Sequence, residues 1–121
     1  MKGFASELGL REEMATGGSA RIAFDAGEQH LNPAGTVHGG LLATLIDTAM
    51  ASAVRSATDD GEVPATTQLT LAFLRAARPG LMVACAQISK HGEHLMLCEA
   101  DVEQDGETLV HAVGTFAVLA R

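Results

Sequence analysis

Tryptophan and tyrosine are absent from this 121-residue chain, and phenylalanine occurs only four times. Bases would find few side chains to stack on, and a formal net charge of −7, from 8 Lys and Arg against 15 Asp and Glu, repels polyanions at long range. Both features argue against a nucleic-acid partner. Cysteine is scarce too: Cys85 and Cys98 lie in apolar, strand-like segments and read as reduced core residues, with no assignable base to make either a nucleophile. No apolar run is long enough for a convincing membrane span, and Met1 to Met14 lacks an apolar segment of the signal-peptide type, so the expectation is a cytoplasmic protein with no membrane partner. Metal-ligand spacing is also missing. His91 and His94 flank Glu93 without further ligands, His30 and His111 are isolated, and dinucleotide fingerprints, P-loops and Gly-x-Ser-x-Gly elbows do not occur.

What the chain does have is a hydrophobic fraction of 47% in a length suited to one domain over residues 1–121. Its most informative stretch runs from His30 to Val54. Leu41, Leu42, Leu45, Ile46, Ala49, Met50, Ala53 and Val54 recur at three- and four-residue spacing, without proline or internal glycine, which predicts a helix. The positions between them are small and barely polar, so the helix should be buried nearly all round. Between His38 and Arg55 the only ionisable residue is Asp47. A carboxylate there needs hydrogen-bond partners to stay charged, and its neighbours one turn away are mostly small enough to leave room for another molecule. Asp47 is therefore a site candidate, the alternatives being a carboxylate satisfied by a facing backbone amide or one on a less buried stripe of the helix.

The loop ahead of the helix adds to this. Gly39 and Gly40 stand where the first turn begins, and the first amides of a helix lack intrahelical partners and lie at the positive end of its dipole. With no side chain in the way they could hold a developing oxyanion, although Gly-Gly can also simply ease a tight turn. Asn32 before Pro33 is a common turn opener, and a lone histidine such as His38 near a helix start is often structural.

Taken together, Asn32, Gly35, His38-Gly39-Gly40 and Asp47 resemble the signature of hotdog-fold acyl-CoA thioesterases of the phenylacetate-degradation type, and the likeness extends from about Arg21 to Leu119. The resemblance implies an oxyanion-binding amide at Gly39, or less directly Gly40, with Asp47 as general base or nucleophile. It implies Asn32 and His38 as polar groups that position the thioester or water. A hydroxyl residue early in the next strand also belongs to the pattern, and either Thr66 or Thr67 falls there.

The rest of the chain predicts an α+β architecture. Residues 1–17 form a leader, helical and amphipathic over Met1 to Met14, ended by Gly17-Gly18. Ser19 to Ala26 reads as a strand; after the helix and the Asp59-Asp60-Gly61 turn come strands over Ala65 to Arg75, Leu81 to Lys90, Leu95 to Glu103 and Thr108 to Leu119. Tight turns between them indicate an antiparallel sheet wrapped over one long central helix, the hotdog fold that the resemblance implies. A sheet covers one side of a helix only, so a second subunit should close the other. The chemistry points the same way, because Gly39 and Asp47 are about 12 Å apart along a helix axis, an awkward span for serving one carbonyl even with the Asp47 side chain leaning back toward the N-terminus. The expectation is a composite site shared by two protomers, in a dimer or, as related thioesterases imply, a dimer of dimers.

The expected activity is hydrolysis of an aromatic, phenylacetyl-like, or medium-chain acyl-CoA, with CoA as part of the substrate and no separate cofactor. Arg75, Arg78 and Lys90 are candidates to hold the CoA phosphates, against a reading as solvated surface charges. Two other classes compete: a non-catalytic acyl-CoA-binding hotdog module, and a hotdog hydratase or dehydratase acting on acyl thioesters. Retention of Asp47 with His38-Gly39-Gly40 favours hydrolysis.

Overall fold

The chain folds, in a computed structural model that describes residues 2–120, into one helix cradled by a six-stranded antiparallel sheet. The elements in order are α1 (Phe4–Leu8), β1 (Arg11–Thr16), β2 (Ser19–Ala26), α2 (Gly39–Arg55), β3 (Glu62–Phe73), β4 (Gly80–His91), β5 (Leu95–Gln104) and β6 (Glu107–Ala120). The strand order across the sheet is β1-β2-β4-β5-β6-β3, which leaves β1 and β3 as the two edges.

Helix α2 forms where the spacing of its apolar residues predicts. Leu42, Leu45, Ile46, Ala49, Met50, Ala53 and Val54 are buried against the inner face of the sheet. That face is supplied by every second residue of the strands, among them Ile22 and Phe24 of β2, Met82 of β4, Val102 of β5 and Phe116 of β6. Each large apolar side chain so buried contributes roughly 1.5–3 kcal/mol, which makes this contact the main source of stability. Truncating one at its centre, as in Leu45→Ala, should cost about 2–5 kcal/mol.

The far side of α2 is different. Leu41, Ala43, Thr44, Asp47, Thr48 and Ala51 are only half-buried and Gly40 is exposed, so within one chain the helix is not buried all round. The open six-stranded sheet covers one face of the helix and leaves the other uncovered.

The hairpin turns follow from their residues. Gly17 and Gly18 have φ of 60° and 90°, and Asp105 and Gly106 have 51° and 78°. Two successive left-handed residues match the twist of a two-residue hairpin, hence Gly-Gly and Asp-Gly at these corners. The N-terminal leader departs from the expected helix over Met1 to Met14. Met1 lies outside the described residues, α1 spans only five residues, and Arg11–Thr16 is a strand paired with β2. All of β1 but Ala15 is exposed, so as an edge strand it carries no alternation for a sequence pattern to reveal. Cys85 also departs from expectation. Only Cys98 is buried; Cys85 lies on the outer face of β4 and is exposed.

Candidate active site

The loop before α2 is built by Asn32. Its Oδ1 accepts from the amides of Ala34 and Thr36, and its Nδ2 donates to Thr36 Oγ1 at 3.0 Å. The backbone closes the same ring, with the Asn32 N–H donating to the Thr36 carbonyl at 2.8 Å. Asn32 thus shapes the turn that its place before Pro33 suggests. The loop is tied down at both ends: the Val37 N–H donates to the Ala77 carbonyl at 2.9 Å, and the His38 N–H donates to the His30 carbonyl at 2.9 Å.

His38 occupies the N-cap of α2. Its Nδ1 accepts from the Gly40 N–H at 3.0 Å, which satisfies one of the amides a helix start leaves open. That engagement separates the two glycines. The Gly40 amide is occupied, whereas none of the hydrogen bonds among the described residues uses the Gly39 N–H. Gly39 therefore presents the donor available to a ligand at the positive end of the helix. With Nδ1 accepting, His38 keeps its proton on Nε2, and that atom remains to donate to a substrate or water.

The Gly39 amide borders a cavity of about 330 Å³, whose walls include Asn32, Val37, Leu42, Phe73, Leu74 and Arg75. A Cβ at Gly39 would stand 3.6 Å from the Phe73 ring, so the two wall residues lie in near contact. Asp47 is not among the walls. It stands two turns further along α2, half-buried, and accepts a hydrogen bond at its Oδ1 from Thr66 Oγ1 at 2.6 Å. Thr67 turns the other way, donating to the Thr115 carbonyl at 3.0 Å. Of the two threonines, Thr66 is the one brought to Asp47.

Arg75 and Arg78 sit together on the β3–β4 connection, where Arg75 pairs with Glu107 at 2.8 Å and Arg78 with Asp105 at 3.4 Å. All four side chains are exposed, so the pairs are weak and exchangeable. Lys90 is not part of this group: it lies near the opposite end of β4, some 30 Å away along an extended strand. His91, Glu93 and His94 are exposed at the β4–β5 turn, and no set of three metal-ligating side chains gathers among the described residues. No helix among these residues is long and apolar enough to cross a membrane.

Two contributors escaped the sequence. The side-chain cap by His38 is signalled only by its place just ahead of Gly39, and the cavity walls Phe73 and Leu74 come from a strand end whose approach to α2 no local pattern encodes.

A single helix held in a curled antiparallel sheet, with a free amide at the helix start and a carboxylate along its open side, defines a hotdog-fold protein. The chain belongs to the thioesterase superfamily, whose family profile matches residues 34–111, and it is a thioester hydrolase. It is 37% identical over 111 residues to an inferred esterase of Halobacterium salinarum, covering 88% of this chain and 73% of that one. Over 76 residues it is 34% identical to acyl-coenzyme A thioesterase 13 of Mus musculus, covering 62% of this chain and 54% of the mouse protein. The E. coli protein from the phenylacetic acid degradation operon has the same fold, with a TM-score of 0.89, 27% identity, and coverage of 96% of this chain and 83% of that one.

Proposed function

We propose that the protein hydrolyses an acyl-CoA to the free acid and CoA, with an aromatic, phenylacetyl-like, or medium-chain acyl group. The observation that carries this reading is the unengaged Gly39 N–H at the edge of a largely apolar cavity, on the same helix as the Thr66-held carboxylate of Asp47. The names of the mouse and E. coli relatives support the substrate class.

In this reading the thioester carbonyl oxygen accepts from Gly39, whose amide and helix dipole stabilise the oxyanion as the tetrahedral centre forms. Asp47 either takes a proton from the attacking water or attacks the carbonyl itself to give an anhydride that water then opens. The CoA thiolate departs and is protonated. No metal or other cofactor enters. Asn32 keeps the loop in shape, and His38 holds the Gly40 amide so that Gly39 alone faces the carbonyl. Arg75 and Arg78, exchanging their surface carboxylates for phosphate, take the CoA end. The setting is the cytoplasm.

The acting Gly39 and Asp47 come from two protomers. About 12 Å of helix separates them within one chain, beyond the reach of one carbonyl carbon. The open side of α2, lined by Gly40, Ala43, Thr44, Thr48 and Ala51, is small enough for a second helix to approach, and β3 offers an unpaired edge. Two such dimers then form a tetramer.

The test is thiol release from a panel of aromatic and aliphatic acyl-CoAs by the wild type and by Asp47→Asn, with fold and assembly checked. Turnover of one class, lost in the variant, supports the proposal. Binding of acyl-CoA without turnover in either protein replaces it with the binding-module reading.

A further inference from the structure

The alternation of β3 puts the wrong threonine beside Asp47. Leu69 pairs with Gly114 and Leu71 with Ala112, both of which face α2; counting back by twos, Thr67 should face inward and Thr66 outward. The pairing is instead Gln68 with Thr115 and Thr66 with Phe116, and the register shifts between them. Thr67 is the extra residue of a β-bulge. Because Phe116 is fully buried on the inner face, its partner Thr66 is carried to that face as well. The bulge is what aims Thr66 at Asp47.

Within one chain β3 is an edge strand, so there the bulge is held from β6 alone. Thr67 Oγ1 donates to the Thr115 carbonyl at 3.0 Å and lies 2.6 Å from Thr115 Oγ1. Each hydroxyl has one proton, so with Thr67 donating to the carbonyl, Thr115 Oγ1 donates to Thr67 Oγ1. Both hydrogen bonds lie on the strand pair that carries the bulge. We infer that Thr67 and Thr115 form a latch on the outer side of the sheet and are positioning residues for Asp47, acting through Thr66. Neither is hydrogen-bonded to Asp47 or lines the Gly39 cavity. The inference rests on the proposed role of Asp47 for its kinetic consequence, while its structural consequence stands without it.

The test uses Thr66→Val, Thr67→Val, Thr67→Ser and the double variant Thr66→Val/Thr67→Val. Valine keeps the β-branched shape that an edge strand favours, so folding is preserved. Two readouts are taken: kcat and KM on the acyl-CoA the wild type turns over, and the Thr66–Asp47 contact in crystal structures. A hydrogen bond to a charged group is at stake, so kcat should fall about tenfold in both valine single variants, with KM within about twofold. The double variant should be no slower than Thr66→Val alone, because both changes break one chain of contacts. Thr67→Ser should recover the activity lost in Thr67→Val, and the Thr66 hydroxyl should leave Asp47 in the structure of Thr67→Val. Wild-type kcat with an intact contact in Thr67→Val overturns the latch, as does a double-variant loss equal to the product of the single losses. Should the wild type hydrolyse no thioester, the proposed function fails, and the contact in Thr67→Val alone decides the latch.

Discussion

Thr66 Oγ1 lies 2.6 Å from Asp47 Oδ1, a hydrogen bond that joins an edge strand of the sheet to the middle of the central helix. It fixes one carboxylate oxygen and leaves the other for chemistry. The Asn side chain can accept the same bond through its own Oδ1, so Asp47→Asn removes the charge without removing the contact. Thermal melting of Asp47→Asn should stay within a few degrees of the wild type while kcat/KM falls at least about a hundredfold, roughly 2.7 kcal/mol of transition-state stabilisation. Near-wild-type turnover in a well-folded variant would remove Asp47 from the mechanism.

Gly39 can be tested by deleting a single proton donor. It is the first helical residue, where proline is well tolerated, and His38 before it has φ −58° and ψ 131°, a conformation compatible with a following proline. Gly39→Pro should therefore fold, assemble and still bind acyl-CoA, but lose about 10²–10³ in kcat, the usual cost of one oxyanion donor. Equilibrium binding and steady-state kinetics separate the two effects. A loss of affinity with kcat intact would mean that the amide only holds the ground state.

The two cysteines should behave oppositely. Cys85 is exposed, whereas burial pushes the Cys98 thiol from an ordinary 9.0 up to about 11. Alkylation of the native protein at mildly alkaline pH should label Cys85 alone, with Cys98 reacting only after denaturation, as read by mass spectrometry. The sign of the linkage follows. Below pH 9 both states hold the Cys98 proton; between 9 and 11 the unfolded chain releases it first, so stability falls as pH rises through that window. No tyrosine titrates there, because the chain has none. Cys98→Ala should flatten the slope of unfolding free energy over this range.

Gly114 allows α2 to lie close to β6. A Cβ there would stand 2.8 Å from Met50 Sδ, 3.0 Å from Leu69 Cδ2 and 3.1 Å from the Gln68 carbonyl oxygen beside the bulge. Met50 is fully buried and has little room to yield. Gly114→Ala should cost about 1–3 kcal/mol in urea unfolding, in the range of overpacked cores. An unchanged midpoint would show that the helix sits further from the sheet.

Helix α2 was legible because its apolar spacing is uninterrupted from Leu41 to Val54, and the Asp105-Gly106 corner because few residue pairs accept two left-handed conformations. Strand β1 was hidden, since its residues are nearly all exposed and Phe4, Leu8 and Leu10 imitate a helical face. The orientation of Cys85 was hidden for the opposite reason, as β4 is apolar on both faces between Leu81 and Ala86. Which threonine meets Asp47 depends on a bulge in the pairing of β3 with β6, and the pattern of β3 read by itself does not show it. Gly39, His38 and Asp47 were visible as candidates, but the split between an occupied and a free glycine amide required the ring of His38 to be placed.

In the proposed enzyme, Gly39 of one protomer and Asp47 of another serve one thioester. Mixing Gly39→Pro with Asp47→Asn under conditions that exchange subunits tests it directly. In a mixed dimer one composite site has both residues intact and the other has neither. With random exchange between two-fold dimers, thiol release should rise from near zero to about a quarter of the wild-type rate. If no activity returns although mass spectrometry shows mixed dimers, Gly39 and Asp47 act within one chain and the composite site is wrong.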